Sequence, residues 1–367
     1  MSNGAIDLFC GCGGISAGLR EAGFEILAGV DINKKYIQTF EKNFKNAKAV
    51  TEDITQIPPK EFLKLIGASK KDIKIIAGGP PCQGFSKNVP RKHRYLEDPR
   101  NQLIKTFLDY CEEIRPPLVL MENVAEMKNG FDNAYTIEIQ DRLRACGYKV
   151  NHVILNAADY GIPQRRKRAF FLAALSDLPT IPEATHSKKD DSEDLFALSS
   201  HVNVWEAIGD LPSLEHGEGY EVVKYESKSS SEYQKKARRK IKQVTNHVSR
   251  KMSDIQHQRL SSIKPGQGIK DLPPTIRPKG GYSGAYGRLT KEMIAPTITR
   301  WVFHPGSGRW GHPVDIRTLS IREVARIQGF YDDFEFHGTY VDQAGQLGNA
   351  VPAMLAEVVG KHLAKYL

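Results

Sequence analysis

Cys82 lies in the run Gly78-Gly79-Pro80-Pro81-Cys82-Gln83-Gly84-Phe85-Ser86, directly after the apolar stretch 73–77. The prolines fix φ and remove backbone donors, so the thiol is expected on a stiff turn at the end of a strand. A cysteine there is either a nucleophile, reactive as its thiolate, or a small buried core residue. Two other runs bear on the choice. The stretch 118–124 carries a carboxylate, Glu122, at the end of another expected strand, and Gln164-Arg165-Arg166-Lys167-Arg168 is a dense cationic cluster before the apolar run 169–174. Cations activate a nearby thiol, and a carboxyl group in such a site can act as an acid or hydrogen-bond donor. Cys82, Glu122 and cations of the run 164–168 are therefore the candidate catalytic group.

A second group points to a ligand. Asp7-Leu8-Phe9-Cys10-Gly11-Cys12-Gly13-Gly14 reads as a strand, a glycine-rich turn and a helix start. Glycines there allow positive φ and a close approach of backbone to ligand. The spacing is not G-x-G-x-x-G, so the dinucleotide fingerprint is imperfect. Asp31 ends the next apolar run about 20 residues on, where an acid suits ribose hydroxyls, and Asp53 follows one segment later. Together they suggest an adenosine-containing ligand.

The elements that must carry these residues alternate. Strand-like runs are expected at 5–9, 26–30, 73–77 and 118–121, and amphipathic helices at 15–22, 34–44, 59–65 and 102–114. That rhythm implies βαβ units and a mostly parallel α/β sheet, whose carboxyl edge is where ligands bind. The runs 152–156 and 169–174 leave no room for a helix between them and are expected as an antiparallel pair on one edge. After Leu175 the chain becomes basic and punctuated by Gly and Pro. The expected organisation is a catalytic and cofactor domain over 1–186, a smaller irregular domain with its linker over 187–316, and a segment 317–367 returning to the first. Ser320 and Glu323 form a capping box, and a last amphipathic helix is expected from about 353.

Composition narrows the class. The chain has 367 residues, a net charge of +9 and a pI near 9.1, consistent with a polyanionic partner. Residues 233–251 hold Lys235, Lys236, Arg238, Arg239, Lys240, Lys242, Arg250 and Lys251 without one acid. No secretory leader is expected from residues 1–4, so the five cysteines suggest reduced thiols, and no second Cys/His pair accompanies Cys10-x-Cys12, so no metal is expected. No apolar run approaches the roughly 20 residues of a membrane helix. A cytoplasmic, nucleoid-associated protein is expected.

In order along the chain, D-L-F-C-G-C-G-G, G-G-P-P-C-Q-G-F-S, M-E-N-V, Q-R-R-K-R, R-x-L-S-x-R-E-x-A-R-x-Q-G-F and G-N-A-V-P resemble the DNA cytosine-5 methyltransferases, with only the middle stretch unmatched. The resemblance implies a Rossmann-like fold, S-adenosylmethionine as methyl donor, S-adenosylhomocysteine as product, and a target-recognition domain before Arg317. It makes Cys82 the nucleophile toward carbon 6 of a flipped cytosine, Glu122 the residue holding ring nitrogen 3 and the amino group, and Arg166 and Arg168 the catalytic members of the cationic run, neighbours of the base. Phe9 is expected to stack on adenine, Asp31 to bind ribose and Asp53 the adenine amino group. Asp7, Gly11, Gly13, Gly14, Ile32, Ile54, Pro80, Asn349 and Val351 complete the expected cofactor set. Gln83, Ser86, Arg91, Arg94, Arg100, Gln164, Thr297 and Arg300 are the expected DNA contacts. Tyr331, Leu347 and Asp31 depart mildly from the family pattern. Double-stranded DNA is the expected partner of a monomeric enzyme. A cognate restriction endonuclease fits too, as do orphan and phage-defence roles. The alternatives are an RNA (tRNA) methyltransferase and a catalytically inactive DNA-binding regulator.

Overall fold

The computed structural model describes residues 3–81, 102–125, 134–188 and 198–367. They form two compact units, one of residues up to Asn156 with Lys167–Glu183 and Val351–Leu367, the other of Ala157–Arg166 and Ala184–Ala350.

The first unit is built on a seven-stranded sheet. Its strands are β1 (Gly4–Leu8), β2 (Glu25–Asp31), β3 (Lys48–Thr51), β4 (Ile73–Gly78), β5 (Leu118–Val124), β6 (Lys149–Asn156) and β7 (Lys167–Ala174), in the order β3-β2-β1-β4-β5-β7-β6. The first five run parallel. β7 lies antiparallel to both β5 and β6, so the expected antiparallel pair is at the edge. Every residue of β1 is buried, as a parallel sheet covered on both faces requires. The covering helices are α1 (Gly14–Glu21), α2 (Lys34–Asn43), α3 (Pro59–Ile66), α4 (Gln102–Ile114) and α5 (Ala134–Ala145). Local chemistry sets their ends. The Asn33 side chain accepts from the amides of Lys35 and Tyr36 at 3.0 and 3.4 Å, and α3 starts on Pro59 and stops at Gly67, φ 69°. Ile6, Leu8, Ile76, Phe107, Val119, Met121 and Phe171 form the centre of the core. The strand order reverses between β1 and β4, which opens a crevice at their carboxyl ends.

The second unit has two short paired strands, β8 (His186–Ser187) and β9 (Ser199–Ser200), an antiparallel pair β10 (Gly219–Lys224) and β11 (Gln243–Val248), and helices α6 (Val204–Ile208), α7 (Glu232–Arg238), α8 (Asp254–Ser261), α9 (Ile321–Ile327) and α10 (Tyr340–Asn349). The boundary expected at 317 moves. Residues 317–350 belong to this unit, and only the helix α11 (Ala353–Leu363) with its flanks belongs to the first. Buried charge explains the difference. Arg317 meets Glu323 through two bonds of 2.8 Å, Arg326 holds Asp332 at 2.5 and 2.6 Å and Asp210 at 3.1 Å, and Arg322 donates to the carbonyls of Thr245 and Phe334. Separating any of these from its partners would strand a buried charge. The Ser320–Glu323 capping box opens α9 as expected.

In the first unit α1 packs on α11 through Gly18. A Cβ there would sit 2.5 Å from the Ala353 carbonyl oxygen, the Ala356 Cβ and the Glu357 nitrogen, so glycine sets how closely the two helices approach.

Candidate active site

The carboxyl ends of β1, β2 and β3 converge. After β1, Phe9 adopts φ 62° and Gly11 and Gly13 adopt 55° and 98°. A non-glycine residue in this region is a strained position of the kind that clusters at ligand sites. A Cβ at Gly13 would lie 2.6 Å from the Phe44 ring, so the turn is fixed by sterics as well as by φ. Asp31 then secures it. One carboxylate oxygen accepts the Gly11 amide at 2.9 Å, the other the Asn33 amide at 2.8 Å. Burial raises the Asp31 pKa from its ordinary value, against those two bonds. Asp53 accepts from the Thr55 amide and hydroxyl at 3.0 and 2.8 Å.

These ends enclose a cleft of about 540 Å³ lined by Phe9, Val30, Asp31, Ile32, Glu52, Asp53, Ile54, Thr55, Pro81, Gln102 and Leu103. Five of the expected cofactor residues line it: Phe9, Asp31, Ile32, Asp53 and Ile54. Ile32 stands 71% exposed at its rim. Among the described residues the lining carries three carboxylates and no Lys or Arg. Such a surface repels phosphate and suits hydroxyls, amines and cationic groups.

The remaining expected cofactor residues lie elsewhere. Asp7 is buried beneath the turn and accepts from the Ser16 amide and hydroxyl at 3.1 and 2.5 Å, tying the start of α1. Burial pushes its pKa up to about 7, although both Ser16 bonds oppose this. Gly11, Gly13 and Gly14 shape the turn without lining the cleft, Val351 is buried, and Asn349 belongs to the second unit. Burial also raises the Cys10 and Cys12 thiols, which keeps them protonated. Among the described residues no cluster of three or more His, Cys, Asp or Glu could hold a metal ion.

One strand further along, Glu122 is buried near the end of β5, and its Oε1 accepts from Arg168 Nε at 2.9 Å. The sheet register places Arg168 opposite Val124 on the antiparallel neighbour β7, so the pair spans two adjacent strands. A Cβ at Gly79 would come within 3.1 Å of Glu122 Oε2, and glycine leaves that oxygen room. The buried Asn123 side chain donates to the Pro80 carbonyl at 2.9 Å, so Pro80 buttresses the segment before Cys82 rather than lining the cleft. Cys82 itself, with Gln83, Ser86, Arg91, Arg94 and Arg100, lies outside the described residues.

The cationic run divides. Arg166 is 1% exposed, and its guanidinium donates to the carbonyls of Ile298, Gly348 and Ala350 at 3.0 Å each. Gln164 is fully buried, donates to Gln328 Oε1 and accepts the Ile298 amide at 2.8 Å. Both therefore hold the second unit together, where a substrate contact was expected. Strand-like alternation, with Arg165 and Lys167 exposed on either side of buried Arg166, is the physical reason. Thr297 donates to the Arg165 carbonyl at 2.6 Å, and Arg300 is exposed. Arg238 and Arg239, part of the basic stretch, are paired with Asp210 and Asp333.

Sequence reasoning missed Val30, Glu52, Thr55, Pro81, Gln102 and Leu103 in the cleft and the brace from Asn123. Only Asn123 carried a signal, since it sits inside M-E-N-V. The others lie at or just past strand ends, in the short turn 54–56 or at the start of a helix, where type and spacing say little.

The chain is similar to known proteins over its whole length. Residues 4–365 match the family model described as C-5 cytosine-specific DNA methylase. Type II methyltransferase M1.HphI of Haemophilus parahaemolyticus is 33% identical, with 100% of this chain and 87% of that protein covered. Type II methyltransferase M.DdeI of Desulfomicrobium norvegicum is 34% identical over 98% and 88%. A crystal structure described as a DNA modification methyltransferase encoded within a prophage (Escherichia coli) superimposes with a TM-score of 0.76 at 26% identity, covering 99% of each chain. No described helix is long and apolar enough to cross a membrane. The full-length family match and the relatives above 30% identity establish that this chain belongs to the C-5 cytosine-specific DNA methylase family.

Proposed function

We propose that this DNA methyltransferase acts at a specific site in double-stranded DNA, on a cytosine turned out of the helix, with Cys82 as nucleophile and S-adenosylmethionine as donor. One observation carries the reading: the buried Glu122–Arg168 pair stands on the strands that follow the carboxylate-lined cleft along one sheet. The cleft fits the donor. Phe9, Val30 and Ile54 offer apolar surface for a purine, Asp31 and Asp53 acceptors for ribose hydroxyls and an amino group, and the absence of basic lining among the described residues disfavours a pyrophosphate. When bound, the donor supplies an electrophilic methyl group on a cationic sulfur.

The protein's residues prepare the acceptor. A cytosine inside a duplex is out of reach and must leave the stack. Cys82 Sγ adds to carbon 6, and the electron pair of the 5,6 double bond becomes available at carbon 5. Glu122, steadied by Arg168, holds the N3 and 4-amino edge and favours that shift. After methylation the carbon 5 proton leaves to solvent base and the Sγ–C6 bond breaks, which restores the thiolate. Thr297 and Arg300 are the DNA contacts retained on the second unit, which we assign to target recognition. A monomer suffices for one base at a time, and a cognate endonuclease would act on the same sequence. The test is base-resolution mapping of 5-methylcytosine in DNA from a methylation-free bacterial host expressing the chain, beside a Cys82→Ser control. Full modification of one short motif, absent in the control, is expected. Unmodified DNA from a well-expressed protein would overturn the reading and turn attention to labelled-methyl assays on transfer RNA.

A further inference from the structure

Trp301 is 51% exposed, unlike buried Trp310, and three interactions fix its surroundings. The Ile298 amide and carbonyl are held by Gln164 and Arg166. A Cβ at Gly348 would lie 2.1 Å from the Arg300 nitrogen, so the turn rests directly on that glycine. Ser307 Oγ donates to the Trp301 carbonyl at 2.5 Å and accepts from Trp310 Nε1 at 3.0 Å. The ring is thus presented on a rigid base, which spares ordering cost on binding.

Two cations bracket a pair of rings here. The Arg250 guanidinium sits 4.9 Å from the Phe303 ring centroid, Phe303 lies 5.6 Å from Trp301, and the exposed Arg300 guanidinium caps Trp301 at 5.0 Å. Phe303 is buried, Arg250 is half-buried, and Trp301 and Arg300 face solvent. Tyr282, 57% exposed, donates to the Ser307 carbonyl and places a second exposed ring against the same turn.

We propose that Trp301 is a stacking platform for a nucleobase of the DNA substrate displaced from its stack, with Arg300 swinging from the indole face to a flanking phosphate. The chemistry favours this occupant. An indole face capped by one guanidinium group suits a flat π-system attached to an anion. The bases of an intact duplex have covered faces, so only an unstacked base can use the ring. The inference rests on the DNA-methyltransferase reading and adds a residue to it.

The test uses the full chain with oligothymidylate and with a duplex carrying a one-nucleotide gap as probes, read by intrinsic tryptophan fluorescence and by anisotropy of labelled DNA. Quenching is expected on binding. Trp301→Ala should lose the quench and bind both probes about 5- to 100-fold more weakly. Trp301→Phe should lose the quench yet stay within about threefold of wild-type affinity, because a smaller ring still stacks. Trp301→Ala that binds within twofold of wild type would overturn the proposal, as would Trp301→Phe as weak as Trp301→Ala. Methyl transfer to duplex DNA by the wild-type chain separates the two readings. An inactive wild type refutes the proposed function, whereas an active wild type with unaffected Trp301→Ala binding refutes only the platform.

Discussion

Replacing Arg168 by Met keeps most of the side-chain volume and removes the cation beside Glu122. Nε and Oε1 are 2.9 Å apart, with the two side chains 17% and 11% exposed. Charge centres about 4 Å apart attract by roughly 4 kcal/mol at an effective dielectric near 20. Releasing the guanidinium from its own desolvation offsets part of that, and breaking a buried pair still costs on the order of 3 kcal/mol. If the pair steadies the base in the transition state, the loss appears in the chemical step as about a 100-fold slower rate. The assay is single-turnover transfer of labelled methyl to excess DNA at neutral pH. Arg168→Lys, which keeps the charge and loses the planar fork, should recover part of the rate. Donor binding by equilibrium dialysis should hold in both variants, because neither touches the cleft. Arg168→Met within threefold of wild type would refute the reasoning.

Asp31→Asn weakens the acceptor that holds the Gly11 amide and faces the cleft, and should raise the donor Kd about 10- to 100-fold; unchanged dialysis would count against the assigned role. Arg238→Ala removes a guanidinium bonded to Asp210 and lying 3.7 Å from the Tyr225 ring centroid. The expected result is a loss of about 2–3 kcal/mol, or roughly 5–10 °C in Tm, with the salt slope of DNA binding unchanged; a smaller slope with unaltered melting would contradict this. Burial pushes the His312 pKa down to about 4, with Arg317 and His247 acting the same way and the carboxylates of Glu323 and Asp315 opposing it. The unfolded chain then binds the proton more readily than the folded one, so stability should fall as pH drops from about 6.5 towards 4. Thermal melts across that window should show the decline, and His312→Gln should reduce it.

How much was legible depended on how local the signal was. The βαβ rhythm, the edge pair and the α9 capping box rest on neighbours in sequence, and the structure has them within a residue or two for most elements. Phe9, Asp31 and Asp53 could be placed because strand ends on a parallel sheet share one edge. Arg166 and Gln164 could not. Their types suit substrate contact, and only the folded chain reveals that three carbonyls surround Arg166 and that Gln328 meets Gln164. The 317 boundary failed for a related reason, since nothing local links Arg326 to Asp210 across 116 positions. The stretch 233–251 read as uniformly basic surface because its acidic partners, Asp210 and Asp333, lie outside it.

The packing of α1 on α11 has a consequence for how the protein is made. Residues 14–21 and 353–363 are separated by most of the chain, so the sheet that carries the cleft emerges from the ribosome long before its closing helix. Contacts this distant form late. Until then the face around Gly18, with Ile15 and Leu19, is bare apolar surface, open to chaperones and to self-association. A chain stopped before residue 353 would hold the cleft residues but lack the helix against which α1 packs.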